Sequence, residues 1–161
     1  NWNVDDIKRI YVVIGPGSFT GIRIGVTIAK TYAWAKKLEI VPISELELLA
    51  STSYTTDYII PYIDARREAV YAGIYNHEGV VVNDAYMPIK SLKERYPSGS
   101  MMAVSYDACD LGIPQMKPEV NLSKVVENHE HDLTKNPHEV NPIYLKLTEA
   151  EENIKHDSKN E

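Results

Sequence analysis

"IYVVIGPGSFTGIRIGVTIAKTYAWAKKLEIVPI", residues 10–43, carries the pattern that decides the fold. Ile10–Ile14 is an unbroken apolar run, as in a strand covered on both faces. Glycine and proline end it. Thr20–Leu38 reads as the longest helix of the chain, with Ser18 or Thr20 as its N-cap. Ile40–Ile43 is a second short strand. Strand, helix and strand in this order imply parallel pairing. Two strands and one helix do not close a core, because a stable sheet needs about three strands or more. The first residue is Asn1 rather than Met, so the expectation is that an N-terminal segment, or another chain, supplies the rest.

The helix is apolar around most of its circumference. Gly21, Gly25, Ala29 and Ala33 recur every fourth residue and form a stripe of small side chains. Ile22, Val26 and Trp34 flank it, and Ile24, Ile28, Tyr32 and Ala35 lie on the far side. A surface helix usually has one apolar stripe and a polar back. This one asks for cover on two sides: its own sheet, and a second helix from a partner or from a missing N-terminal segment. The expected partner surface is Gly21, Ile22, Gly25, Val26, Ala29 and Ala33. Arginine at Gly25 or Ala29 is expected to leave the fold intact and abolish assembly.

The turn "GPGSFTG" raises the question of a phosphate site. A P-loop needs two glycines separated by four residues, followed by Lys and Ser/Thr. Here three residues separate Gly17 from Gly21, and Ile22 and Arg23 follow. The dinucleotide fingerprint fails as well: Gly15 and Gly17 fit its first two positions, but its third falls on Thr20. Helix N-terminal amides still attract anions. The anion- or nucleotide-binding candidates are therefore Gly15, Gly17, Ser18, Thr20 and Arg23, with Asp64, Arg66 and Arg67 facing them across a cleft. The plainer reading is a sharp strand-to-helix turn and close packing, and for Asp64, Arg66 and Arg67 structural ion pairing.

Beyond residue 43 the pattern changes. "SELE" at Ser44–Glu47 reads as a capping box opening a helix to about Ser51. Tyr58–Ile63, Ala69–Tyr75 and Val80–Met87 read as strands joined by "DARRE" and "NHEG" turns. A helix over Ile89–Tyr96 and a strand over Met101–Tyr106 follow. Residues 107–145, with Pro114, Pro118, Pro137 and Pro142, support only a helix near Leu122–Asn128. The polar end of the chain reads as disordered.

Composition narrows the function. The net charge is −6 and 43% of residues are hydrophobic, enough for a real core. An acidic chain without a Lys/Arg cluster argues against strong nucleic-acid binding by itself. Cys109 is the only cysteine, so no internal disulfide forms, and a cytoplasmic location is the natural reading. No apolar run approaches the roughly 20 residues of a membrane span. "HEHD" at His129–Asp132 has metal-ligand residue types, but a proline-flanked polar stretch reads as a solvated loop. Ser18 does not lie in a nucleophile elbow, and Cys109 has no basic neighbour in sequence. The residues contain no catalytic constellation and no metal site.

Four blocks in order, "GPGSFTGIRIGVTIAKTYAW", "VPISELELLA", "IDARREAVYAGIY" and "NPIYLK", resemble the bacterial TsaB (YeaZ) family. The resemblance implies an α/β, actin-like (ASKHA) fold of two RNase-H-like domains. Residues 1–52 would be the remainder of an incomplete first domain, 53–148 the second, and 149–161 a polar tail. It also implies a non-catalytic subunit that supports a TsaD-like catalytic paralogue in making threonylcarbamoyladenosine next to the anticodon of tRNAs reading codons that begin with adenine. A TsaE-like ATPase joins that assembly, and the subunit alone would form a homodimer. Contact with tRNA would be indirect, and ATP or ADP would sit, if anywhere, at the partner interface. The His-x-x-x-His pair of the catalytic relative is missing here, so metal chemistry is not carried over. The alternatives are a nucleotide-binding actin-like protein, or a glycoprotease-like (M22-type) peptidase homologue, of which peptidase activity is disfavoured.

Overall fold

The computed structural model describes residues 3–132 and 136–146. The predicted strand–helix–strand unit is present. Strand β1 (Arg9–Gly15) pairs in parallel with β2 (Glu39–Ser44), Ile10 opposite Ile40 and Tyr11 opposite Val41. Between them runs α1 (Phe19–Lys36). Ser18 is its N-cap and accepts a hydrogen bond from the Gly21 amide at 3.3 Å. Lys37 ends it in the left-handed conformation, φ 55°, and the Leu38 amide returns to the Ala33 carbonyl at 2.9 Å. The helix thus stops two residues before the predicted Leu38, because the chain must reverse into β2.

A second sheet has five strands in the order β5-β4-β3-β6-β7. Strands β3 (Tyr58–Asp64), β4 (Ala69–Asn76) and β5 (Gly79–Pro88) form the antiparallel meander read from the sequence. Strand β6 (Met101–Val104) lies parallel to β3 on its other side, and β7 (Gln115–Met116) extends the sheet beyond β6. The Asn76 side chain closes the β4–β5 hairpin by accepting from the Glu78 and Gly79 amides at 2.9 and 3.0 Å, an Asx-type turn. The β3–β4 turn is less ordinary. Arg66, Arg67 and Glu68 all have positive φ, 64°, 52° and 56°, which side-chain-bearing residues rarely adopt.

Among the described residues three short α-helices accompany α1 and the strands. Helix α2 (Glu45–Ala50) follows β2, α3 (Ile89–Lys93) follows β5, and α4 (Leu122–Asn128) follows β7. Side-chain alternation along β3 and β4 divides the core of the five-stranded sheet. Ile60, Tyr62, Val70, Ala72 and Ile74 face Met87, Leu92 and Leu111 on one side. Ile59 and Tyr75 face Leu46, Leu49 and Ala50 of α2 on the other. Helix α1 buries Val26, Ala29 and Ala33 against Val12, Ile40 and Val140. The opposite face of the two-stranded sheet packs Val41 and Ile43 on Val125 of α4.

Several local readings are corrected. Helix α3 ends at Lys93 rather than Tyr96, and the Tyr96 hydroxyl instead donates to the Leu111 carbonyl at 3.0 Å. Strand β6 ends at Val104 rather than Tyr106. Ser105, buried, turns its hydroxyl to the Tyr62 carbonyl at 2.7 Å. Ser44 does cap α2, accepting from the Leu46 amide at 3.1 Å, but Glu47 does not complete a capping box. Its carboxylate turns to His129 Nε2 at 2.9 Å. His129 is therefore no member of a solvated loop, since only 14% of its side chain is exposed. The tail beyond residue 146 lies outside the described residues.

Candidate functional site

The glycine turn is built to be crossed. Gly15 has φ +134°, and a Cβ there would meet the Ile143 carbonyl oxygen at 2.5 Å. The Ile143 amide donates to the Ile14 carbonyl at 2.8 Å. The backbone near residue 143 passes directly over the end of β1, and only a glycine leaves it room. The peptide bond between Gly15 and Pro16 is cis.

Past Gly15 the turn borders a cleft of about 570 Å³. Gly17, Ser18, Gly21 and Gly25 line one wall, and Glu45, Tyr62, Ser105 and Asp107 stand opposite. Among the described residues no Lys or Arg lines it. Burial lifts the Glu45 carboxyl above the usual carboxylate range. Among the described residues, phosphates entering here would meet carboxylates and no cation. The expected arrangement, with Asp64, Arg66 and Arg67 across the cleft, is thus corrected. Asp64 Oδ1 accepts from the Arg66 amide at 2.8 Å, and Oδ2 from the Arg66 guanidinium at 3.1 Å, inside their own turn. Arg66 and Arg67 are exposed outside the cleft. The Asp64 amide donates to Asp107 Oδ2 at 2.8 Å, so the residue that reaches the cleft is Asp107. Thr20 is exposed on the first turn of α1.

Arg23 points elsewhere. Its guanidinium carbon lies 5.0 Å from the centre of the Phe19 ring, on a second groove of about 610 Å³. Residues Tyr71 and 143–146 form the far side of this groove.

The small-residue stripe of α1 is divided between two environments. Val26, Ala29 and Ala33 are buried in the chain's own core, with Ile22 packed beside them. Gly21 and Gly25 are exposed, together with Ile24 (56%), Ile28 (64%) and Trp34 (65%). A Cβ on Gly25 would meet nothing within 4 Å. The open apolar face is therefore Gly21, Ile24, Gly25 and Ile28. An arginine at Ala29 would enter the core, so the expectation that it spares the fold does not hold.

One polar cluster escaped the sequence reading. Asp84 on β5 accepts from the Ser44 hydroxyl, and from the Tyr75 hydroxyl at 2.5 Å. Burial and the Asp84 carboxylate push the Tyr75 hydroxyl far above the usual tyrosine range. The cluster ties β2 to the five-stranded sheet. Its sequence signal was Gly73, an isolated glycine inside a strand, whose added Cβ would meet Asp84 Oδ1 at 2.5 Å. Glu47 and His129 similarly join α2 to the end of α4. Among the described residues no group of three or more His, Cys, Asp and Glu gathers as a cation cage, and no helix is long and apolar enough to cross a membrane.

Two sheets, with α2 lying between the end of one and the face of the other, define an actin-like protein of RNase-H-like sheets. The fold agrees with that of YeaZ from Pseudomonas aeruginosa, at a TM-score of 0.71 and 18% identity over 89% of this chain and 76% of that one. The TsaD family, described as tRNA N6-adenosine threonylcarbamoyltransferase, matches residues 1–139. The chain belongs to this family, on its TsaB (YeaZ) branch. It is 49% identical over 74 residues to the tRNA threonylcarbamoyladenosine biosynthesis protein TsaB of Bacillus subtilis, a match covering 45% of this chain and 32% of that protein. It is 40% identical over 60 residues to the TsaB of Haemophilus influenzae, covering 35% and 25%. A tRNA N6-adenosine threonylcarbamoyltransferase of Persephonella marina is 32% identical over 62 residues, covering 38% and 18%. The matched stretches thus span a third or less of these relatives.

Proposed function

We infer that the chain is a non-catalytic subunit of threonylcarbamoyladenosine synthesis on tRNAs reading codons that begin with adenine. Its docking element is the open face of α1, which seats on a TsaD-type catalytic paralogue. The observation that carries this reading is the exposure of Ile24 and Ile28 beside Gly25, on a helix whose other face is already covered. Burying two such side chains contributes roughly 1.5–3 kcal/mol each, and a bare glycine lets a facing helix approach closely. A TsaE-like ATPase completes the assembly, and alone the subunit pairs with itself through the same face.

Co-elution with the TsaD-type paralogue on a sizing column tests the reading. The wild-type chain is expected to co-elute, and the folded variants Gly25→Arg and Ile28→Glu to run alone. Co-elution of both variants would overturn it. A nucleotide-binding role is the second reading. It is favoured only by the form of the glycine turn, and the carboxylates Glu45 and Asp107 on the cleft oppose ATP or ADP there. Peptidase activity has no supporting observation.

A further inference from the structure

The groove beside Arg23 has a chemistry that the docking face does not use. Phe19 and Tyr144 are 52% and 50% exposed, and their rings pack together with centroids 5.1 Å apart and planes tilted by 33°. Arg23 lies over the Phe19 ring. On the far side, Lys146 Nζ is 4.9 Å from the centre of the Tyr86 ring, and Tyr86 packs on Tyr71 at 5.7 Å. The groove measures about 610 Å³, and among the described residues its charged lining residues are Arg23 and Lys146, both cationic. In a chain of net charge −6 this is a local reversal of sign.

Half-exposed aromatic faces add little to folding, because much of each ring stays in water. Aromatic faces with cations beside them are how proteins hold unpaired nucleotides: the ring stacks on a base and the cations take the phosphates. The volume lies in the range of small-ligand sites. Phe19 and Arg23 also lie on a different side of α1 from Ile24 and Ile28, since residues four apart share a face and a step of one turns the helix by about 100°.

We propose that the groove between Phe19, Tyr144, Arg23 and Lys146 binds an unpaired stretch of RNA, one base stacking on the Phe19–Tyr144 pair and the adjoining phosphates meeting Arg23 and Lys146. This goes beyond the docking reading and does not depend on it. It differs from the expectation that tRNA contact is only indirect. Two phosphate contacts make the binding weak and salt-sensitive, in keeping with the acidic chain. For single strands the slope of log K against log salt is about −0.7 per contact, so about −1.4 in all.

The test is fluorescence anisotropy of a labelled ten-nucleotide single-stranded RNA of mixed sequence with the full 161-residue chain. A blunt RNA duplex of equal length is the comparison. The single strand is expected to bind more tightly than the duplex. Phe19→Ala and Tyr144→Ala are each expected to weaken binding about tenfold. Arg23→Gln with Lys146→Gln should bring the salt slope close to zero. Circular dichroism should show all variants folded, and Ile28→Glu should bind RNA like the wild type even where it no longer docks. No measurable binding by the wild-type chain, equal affinity for the duplex, or folded ring variants binding as tightly as the wild type would each overturn the proposal.

Discussion

His129 Nε2 stands 2.9 Å from both carboxylate oxygens of Glu47, a residue 82 positions away in the chain. Its other nitrogen, Nδ1, is 3.0 Å from Asp132 Oδ2. Burial alone would lower the proton affinity of this imidazole. The hydrogen bonds and charges of Glu47 and Asp132 outweigh it and hold the imidazole above its usual range. A group whose pKa is raised by folding adds stability that is complete below its unfolded value, about 6.5, and is lost as pH rises through the raised value. Thermal melts should therefore show a wild-type advantage over His129→Gln near pH 6 that shrinks at higher pH. The advantage is about 1 kcal/mol, or roughly 3 °C for a chain of this size. A difference that is constant from pH 5.5 to 9 would show that the pair does not act through charge.

Gly73 and Asp84 form a matched pair. Alanine at Gly73 is expected to displace the Asp84 carboxylate from Tyr75 and Ser44. Overpacking and lost charge-assisted bonds each cost about 1–3 kcal/mol, so urea unfolding should show a loss of about 2–6 kcal/mol. In the double variant with Asp84→Ala the two losses should be strongly sub-additive, as for residues in contact. Additive losses would separate the glycine from the carboxylate.

Gly15 and Gly79 have similar backbone angles, φ +134° and +137°, but different surroundings. A Cβ on Gly79 meets nothing within 4 Å, whereas one on Gly15 meets the Ile143 oxygen at 2.5 Å. Gly79→Ala should show backbone strain alone, about 1–3 kcal/mol. Gly15→Ala should cost about 1–3 kcal/mol more, from overpacking. Equal losses in denaturant titrations would mean that the segment around Ile143 moves aside freely.

The two faces of α1 should respond oppositely to substitution. Ala33 has no exposed surface, and leucine there should destabilise the chain by about 1–3 kcal/mol. Ile28→Glu, on the open face, should change stability by no more than about 0.5 kcal/mol. If Ile28→Glu unfolds the chain and Ala33→Leu does not, the orientation of the helix is wrong.

The elements that were legible in the sequence are those fixed by local chemistry. Ser18 and Ser44 mark helix starts, Asn76 and Gly79 mark a hairpin, and unbroken apolar runs mark β1, β2 and β3. Readings failed where distant residues decide. Glu47 had the spacing of a capping box, but His129, far along the chain, offers it a charged partner. The stripe on α1 showed that two faces need cover, but not which one the chain covers itself. Val140, across the longest stretch without clear signals, settles that. Strand β7 has two residues, too few for a period, and is held by Ala103 and Ser105 of the neighbouring strand's end through backbone bonds to Pro114 and Met116. The aromatic groove joins residues 19–23 to 143–146, and no short window of sequence contains it.

The passage of residues 140–143 across the opening turn has a practical meaning for anyone shortening this protein. Lys30 Nζ is bonded to the His138 carbonyl at 3.1 Å, Val140 fills the space beneath α1, and the Ile143 amide is bonded to Ile14. These late residues act as a keystone set last into an arch begun by the first strand. Removing them should open the N-terminal sheet, although more than a hundred residues of chain lie between.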